Sequence, residues 1–525
     1  MMDHQRAGND ISVGKRLLIA VLLAAIVTLP FWLTHEEPVI DPVIFGDGRY
    51  KVGDVVAVKC PFRMPRQNNA QCYRTYAPQD WDAYEAGGDG GPLISILALV
   101  LNPPAGGARM PDPFMYLEGG PGFSGVPSDY DDFGSDGWLR YVYKPILETG
   151  RAMIFVDTRG LGHSEPALHC PAALRAAWQD LKQRPAERSL QSRILEADTA
   201  CFRALEAEGV VPGAYQSDYA ARDLAALRRG LNIEKWNLYG ISYGAQTALN
   251  VLNVDAKGVR SVIFDSPSYN RVAVFQDDQA AFDRVLDQIE LRCAPGGDLV
   301  NCGDGIKSKL TDLQAQLRDR PIPVRGQPFG NAVYMGDREA LLVVHDALYQ
   351  ANGQSRALRI VEALTVQPAN YLSSLSNWAM DWHQTIYWSY LDEDFSWPVH
   401  LATTCRENDH GPSTGATNWP VYTLEEQDYS RRLCEAMGIS FRKKIIDAAD
   451  FAGVPTLVLS GERDVITPPL YGQELAADID GAHITHPRES HGVMFWTGDE
   501  CLVDAAVDFI DALAFSRPKD CLKLR

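Results

Sequence analysis

Asn237-Leu238-Tyr239-Gly240-Ile241-Ser242-Tyr243-Gly244-Ala245 is the stretch that decides how this chain folds. An apolar run leads into a serine with glycine two residues to either side, and small residues follow. This is G-x-S-x-G between a predicted strand and a predicted helix. A sharp strand-to-helix turn puts the serine in strained backbone angles and lifts its hydroxyl above the sheet, and only small residues fit two positions away. The helix that starts there aims its first amides at any oxyanion formed beside that hydroxyl. The bland alternative is a glycine-rich turn that merely holds a serine, and the rest of the chain decides between the two.

At 525 residues the chain calls for one large domain with an insertion, or for two domains. A net charge of −19 argues against nucleic acid and against anionic lipid surfaces as partners. The ten cysteines contain no C-x-x-C pair, which makes a zinc ribbon a poor reading. Taken in order they close five short loops, Cys60–Cys72, Cys170–Cys201, Cys293–Cys302, Cys405–Cys434 and Cys501–Cys521. Sequential pairing is expected if the compartment is oxidising, and free buried thiols if it is not.

The N-terminus bears on that choice. Leu17 to Leu33 is an apolar run with Lys15-Arg16 before it and Glu36-Glu37 after it. As a helix it spans about 25 Å, near the lower end of what crosses a bilayer. Its flanking charges place the N-terminus inside and the rest of the chain outside. The bulky Pro30-Phe31-Trp32-Leu33 offers no small-residue cleavage site, so an uncleaved anchor is favoured over a removed signal peptide.

Beyond a loop-rich stretch over 37–90, strands are expected at Leu93–Leu101, Pro113–Leu117, Ala152–Val156, the run before Ser242, and Val259–Asp265. Residues 172–230 read as helices, with Gly230 ending the last. Strands alternating with helices predict an α/β protein with a parallel or mostly parallel central sheet. From 271 to 450 the pattern changes to helices and loops, a helical cap inserted in the sheet domain. Strand pattern returns at Gly453–Gly461 and Ala482–Thr485, and Val503–Leu513 closes the chain as an amphipathic helix. The domain reading is thus 1–36 anchor, 37–270 core, 271–450 cap and 451–525 core.

A serine hydroxyl needs a base, and the base needs an acid to orient it. In this chain order the acid follows a strand, and Gly461-Glu462-Arg463-Asp464 does so directly, which selects Asp464. Asp265, ending the preceding strand, is the rival. Of His483, His486 and His491, the last sits in a loop beyond the final strand, where it can reach over the sheet. The oxyanion donors are expected to be the amide of Tyr243 and one near Gly120 in Glu118-Gly119-Gly120-Pro121-Gly122. The same loop reads G-x-G-x-x-G, and Asp157 ends the next strand, as in a dinucleotide fold. However, the residues after Gly125 do not start a helix to meet a pyrophosphate.

At this point the chain resembles α/β-hydrolases of the proline-iminopeptidase and tripeptidyl-aminopeptidase branch. The likeness rests on Gly119-Gly120-Pro121-Gly122, Asp157-x-Arg159-Gly160-x-Gly162-x-Ser164, Gly240-x-Ser242-Tyr243-Gly244 and the Asp464 and His491 loops. It implies the α/β-hydrolase fold and an exported serine exopeptidase that acts on short peptides with a free N-terminus and needs no metal or cofactor. It also implies an acidic anchor for the substrate ammonium in the insertion, near a cysteine. Glu407, after Cys405, occupies that place; a surface Glu paired with Arg406 is the alternative. Glu118 stands where proline iminopeptidases have His, which speaks against strict proline specificity. The aromatic run Trp378–Tyr390 reads as core or as a pocket wall. A carboxylic-ester hydrolase with the same triad, and an idle anchored binding protein, are the competing functions.

Overall fold

The computed structural model describes residues 39–62, 70–104, 106–107, 109–126, 143–187, 190–269, 274–300, 302–324, 333–366, 395–407, 424–441, 446–494 and 500–515. The expected anchor at 17–33 and the aromatic run 378–390 lie outside these residues. Among the described residues no helix is long and apolar enough to cross a membrane.

Nine strands form one sheet: β1 (Val55–Val58), β2 (Ala70–Pro78), β3 (Leu93–Leu101), β4 (Phe114–Leu117), β5 (Met153–Asp157), β6 (Trp236–Ile241), β7 (Val259–Asp265), β10 (Thr456–Gly461) and β11 (Ala482–His486). Their order is β1-β2-β3-β5-β4-β6-β7-β10-β11. From β5 to β11 every neighbouring pair is parallel, while β1, β2, β3 and β5 meet antiparallel. This is the α/β-hydrolase architecture.

β1 and β2 correct the expectation of loops over 37–90. Turn-forming residues ahead of β2 mask it, and its buried positions do not alternate cleanly. It exists because it pairs along its full length with β3, from Ala70↔Leu101 to Pro78↔Leu93. Such non-local pairing readily overrides local propensity.

Side chains along the central strands point alternately to two apolar layers. In β6, Leu238 packs with Leu224, Leu249 and Leu475 of the helices Ser217–Gly230, Gly244–Asp255 and Pro469–Ile479. Its neighbour Tyr239 faces the opposite layer, with Phe155, Leu459 and helix Glu500–Ala512.

Between β7 and β10 the chain runs through helices Val274–Cys293, Ile306–Asp319, Asp337–Ala347 and Gly353–Val366, then Trp397–Glu407 and Leu424–Ala436. The first four share one apolar core around Phe282, Leu310, Leu341 and Leu358. Val465, next to the candidate acid, is part of that core, so the acid loop packs directly on the insertion. A short antiparallel pair, β8 (Ile322–Val324) with β9 (Val333–Met335), adds a strand element not expected there.

Four of the expected disulfides are present, Cys60–Cys72, Cys170–Cys201, Cys293–Cys302 and Cys405–Cys434. Cys501 is also disulfide-bonded, but the expected Cys501–Cys521 pair reaches outside the described residues.

Candidate active site

Ser242 sits between β6 and helix Gly244–Asp255 with φ of +52°, in the left-handed region that a non-glycine residue enters only when its surroundings hold it there. The flanking glycines are needed for contact reasons. A Cβ on Gly244 would lie 2.2 Å from the Leu117 carbonyl oxygen, and one on Gly240 would lie 2.5 Å from that of Gly244. The turn is fastened from both sides. Ser242 N–H donates to the Asp265 carbonyl at 2.9 Å, and Ser268 N–H donates to the Ser242 carbonyl at 3.0 Å.

Asp464 and His491 meet directly, with Asp464 Oδ2 2.9 Å from His491 Nδ1. Asp464 is fully buried in the turn after β10. The backbone N–H groups of Ile466 and Thr467 both donate to its Oδ1 at 2.8 Å. Thr467 Oγ1 donates to Oδ2 at 2.7 Å and lies 3.1 Å from His491 Nδ1. Burial opposes the Asp464 charge, but the imidazole and these donors outweigh it and hold the carboxyl below its ordinary range. Burial likewise opposes a charged His491. The carboxylate of Asp464, followed by those of Asp265 and Glu118, outweighs burial and raises the imidazole above its ordinary value. The cap helix Val274–Cys293 also grips this turn: Arg284 Nη1 donates to the Glu462 carbonyl at 2.7 Å and its Nη2 to that of Asp464 at 2.5 Å.

Asp265, the rival acid, does not hydrogen-bond the His491 ring. Its Oδ1 accepts from Val493 N–H and its Oδ2 from Met494 N–H, both at 2.8 Å, so it binds the backbone just after the histidine. Tyr239 O–H donates to Oδ2 at 2.6 Å. Ser266 Oγ accepts from Gly492 N–H at 2.9 Å. Ser242 and His491 are therefore both tied to the Asp265–Ser266 pair at the end of β7.

The glycine loop after β4 faces the serine. A Cβ on Gly119 would lie 3.0 Å from Ser242 Cβ, and Gly120 has φ of +112°. Glu118 accepts from the Gly119 N–H at 2.7 Å and from the Tyr116 hydroxyl, so its carboxylate braces the loop from within. Helix Trp397–Glu407 holds the loop from outside. Ser396 N–H donates to the Gly122 carbonyl at 2.8 Å, and His400 Nδ1 donates to that of Pro121 at 2.8 Å. Burial pushes His400 down to about 4, with the Pro121 bond only partly offsetting it, which keeps the ring neutral. The dinucleotide reading fails at Asp157. Its buried carboxylate accepts from the N–H groups of Val126 at 2.9 Å and His163 at 2.7 Å, bracing two loops.

Glu407, the candidate ammonium anchor, ends that same helix. Its Oε2 accepts from the Tyr243 hydroxyl at 2.6 Å, and its Oε1 accepts from the N–H and hydroxyl of Ser217, both at 2.8 Å. Arg406, its expected alternative partner, instead reaches Gln216 and the Ser440 carbonyl. Burial raises the Glu407 carboxyl above its ordinary value, and the Tyr243 and Ser217 donors only partly offset this. The side chain that follows the candidate nucleophile thus binds the candidate anchor. A pocket beside them is lined by Glu118, Phe123, Tyr215, Ser217 and Tyr243.

Sequence reasoning missed Thr467 and Ser217. An Asp followed three residues later by Thr is a side-chain turn signal, and it was available for Thr467. Ser217 carries no such mark, because Glu407 reaches it only through the fold.

Two family models match parts of the chain. The family described as alpha/beta hydrolase fold matches residues 112–298, and the one described as TAP-like protein matches residues 422–520. No curated protein matches the chain. Among similar solved structures is an esterase from Exiguobacterium antarcticum, 14% identical over 80% of this chain and 96% of that one, TM-score 0.34. A bromoperoxidase from Bacillus anthracis is 15% identical over 80% and 96%, TM-score 0.36. An esterase from Thermogutta terrifontis is 14% identical over 80% and 94%, TM-score 0.35. The chain is a hydrolase of the α/β-hydrolase fold whose C-terminal part is TAP-like.

Proposed function

We propose that the protein is an exported serine exopeptidase that removes residues from the free N-terminus of short peptides. The observation that carries this reading is the hydrogen bond between Glu407 and the hydroxyl of Tyr243, the residue after Ser242. It keeps a half-buried carboxylate next to the reaction centre, where a substrate ammonium offsets the cost of its burial. An internal peptide segment has no charge to offer there and leaves the negative charge of the carboxylate without a cation opposite it.

In this mechanism Ser242 Oγ attacks the scissile carbonyl carbon while its proton passes to His491 Nε2. Asp464 holds the Nδ1–H tautomer and faces the imidazolium as it forms. The amides of Tyr243 and Gly120 receive the oxyanion. Collapse breaks the C–N bond, and the leaving amine takes the proton from His491. Water, deprotonated by the same histidine, then hydrolyses the acyl-enzyme ester. The disulfides support an oxidising compartment and hence export, with residues 17–33 as the membrane-inserted anchor.

The test is hydrolysis by the purified full-length chain of free and N-acetylated aminoacyl and tripeptidyl anilides, beside a short p-nitrophenyl ester. The expected result is cleavage of free-amine anilides, with acetylation costing roughly 10- to 100-fold, the worth of a charged hydrogen bond. Glu407→Gln should remove most of that discrimination. Ester cleavage alone would overturn the reading in favour of an esterase whose cap binds an acyl chain.

A further inference from the structure

We infer that Asp265 is a positioning residue of the hydrolytic machinery, locking the loop that carries His491 to the residue that carries the nucleophile. The inference rests on the proposed roles of Ser242, Asp464 and His491 and adds a fourth residue that touches none of the reacting atoms.

The position of Asp265 is central. It ends β7, with Ile241 of the nucleophile strand level with it on one side and Leu459 of the acid strand on the other. Its carbonyl accepts the Ser242 N–H at 2.9 Å. Its carboxylate, fully buried, accepts two consecutive N–H groups from the residues after His491, those of Val493 and Met494. Two hydroxyls complete the set, Tyr239 at 2.6 Å and Ser266 at 3.2 Å. All four groups are donors, which favours the ionised carboxylate. Burial is the larger effect and raises the carboxyl above its ordinary value, the Tyr239, Met494 and Val493 donors only partly offsetting it. The following residue extends the link: Ser266 takes the Gly492 N–H on its hydroxyl at 2.9 Å. No other residue described above bonds both the elbow serine and the histidine loop.

The arrangement also explains why a carboxylate stands here. During acylation His491 gains a proton, and its surroundings meet that charge from several elements. Asp464 faces it from the turn after β10, Asp265 from β7 and Glu118 from the loop after β4. The Tyr349 ring lies edge-on at 5.5 Å, and the Arg284 guanidinium sits behind Asp464 on that residue's own carbonyl. A neutral side chain at 265 would remove a carboxylate that faces His491 and weaken the hold on Val493 and Met494 together.

The test compares wild type, Asp265→Asn and Tyr239→Phe as full-length chains. It reads the pH dependence of Ser242 labelling by a fluorophosphonate, site by mass spectrometry, with near-UV circular dichroism as the fold check. In D265N the carboxamide nitrogen faces an amide donor. Labelling is expected to slow roughly 10- to 100-fold, the scale of a small misplacement of a reacting group, and the acid limb to move to lower pH. Y239F keeps both loop bonds but removes one donor from the carboxylate. Asp265 then protonates more readily, and the acid limb is expected to steepen as a second proton joins it. If D265N does not fold, Y239F alone decides. Acid limbs in the folded variants that superimpose on wild type would overturn the inference. Absence of Ser242 labelling in wild type would overturn the triad reading first, and the positioning role with it.

Discussion

Replacing Asp464 by Asn turns the hydrogen-bond pattern of the acid turn into a specific loss of rate. Two backbone donors, Ile466 N–H and Thr467 N–H, converge on Oδ1 at 2.8 Å, so the carboxamide oxygen of Asn has to take that place. Its NH2 group then occupies the Oδ2 position, 2.9 Å from His491 Nδ1. There it donates, and the imidazole must accept at Nδ1 and carry its proton on Nε2. A histidine in that tautomer presents a donor to the serine and cannot take its proton. Restoring the other tautomer sets N–H against N–H in a buried site, at about 1–3 kcal/mol, and the lost charged hydrogen bond to the imidazolium adds about 1.5–3 kcal/mol. The sum, roughly 3–6 kcal/mol, corresponds to about a 10²- to 10⁴-fold loss. Ser242 labelling by a fluorophosphonate reads this without any choice of substrate, with circular dichroism to show that the fold is retained. A folded D464N chain labelled within tenfold of the wild-type rate would refute the argument.

Further outcomes follow from other contacts. Because the His491 imidazole is held above its ordinary value of 6.5, the base is lost as pH falls through the raised value. Labelling should therefore decline along an acid limb centred above 6.5, and a limb centred below it would contradict the electrostatics described. Gly244→Ala sets a methyl group 2.2 Å from a backbone oxygen of β4, and since neither side can yield, the variant should lose about 1–3 kcal/mol or more of stability together with its labelling. Retained activity in that variant would show that the turn relaxes. Asp223→Asn breaks the bidentate pair in which Arg159 Nε and Nη2 donate at 2.8 and 2.6 Å, with both side chains buried. An unpaired buried guanidinium costs about 3–5 kcal/mol, visible as a lower urea midpoint with unchanged slope. A midpoint equal to wild type would show that the Gln79 and Ala214 carbonyls suffice to hold Arg159.

The elbow and the acid turn were legible in the sequence because both are local. Gly240 and Gly244 report a clash that any residue with a Cβ would suffer, and Asp464 follows its strand directly. Among His483, His486 and His491, only the last lies in a loop beyond the last strand. β2 was not legible, since it is held by pairing with β3, from Pro78↔Leu93 to Ala70↔Leu101, and its own burial pattern does not alternate. Asp265 was seen as an acid at a strand end, but the two amides that occupy it come from the far end of the chain. The same limit applies to Ser217, whose contact with Glu407 bridges 190 positions. Side chains that bond across the fold leave no periodic trace in the residues around them.

Helix Trp397–Glu407 belongs by chain order to the insertion and by contact to the candidate site. Its first turn, with the residue just before it, grips the carbonyls of Pro121 and Gly122, and its last residue bonds the tyrosine beside Ser242. The boundary of an exchangeable cap therefore lies before Phe395, not at the point where β10 resumes the sheet. A chimera that grafts a foreign insertion over the whole of 271–450 would discard both grips at once, and with them the Arg284 hold on the Asp464 turn. One that replaces only the four-helix part, 274–366, would keep these two grips but has to rebuild the Arg284 hold on the Asp464 turn and the packing of Val465.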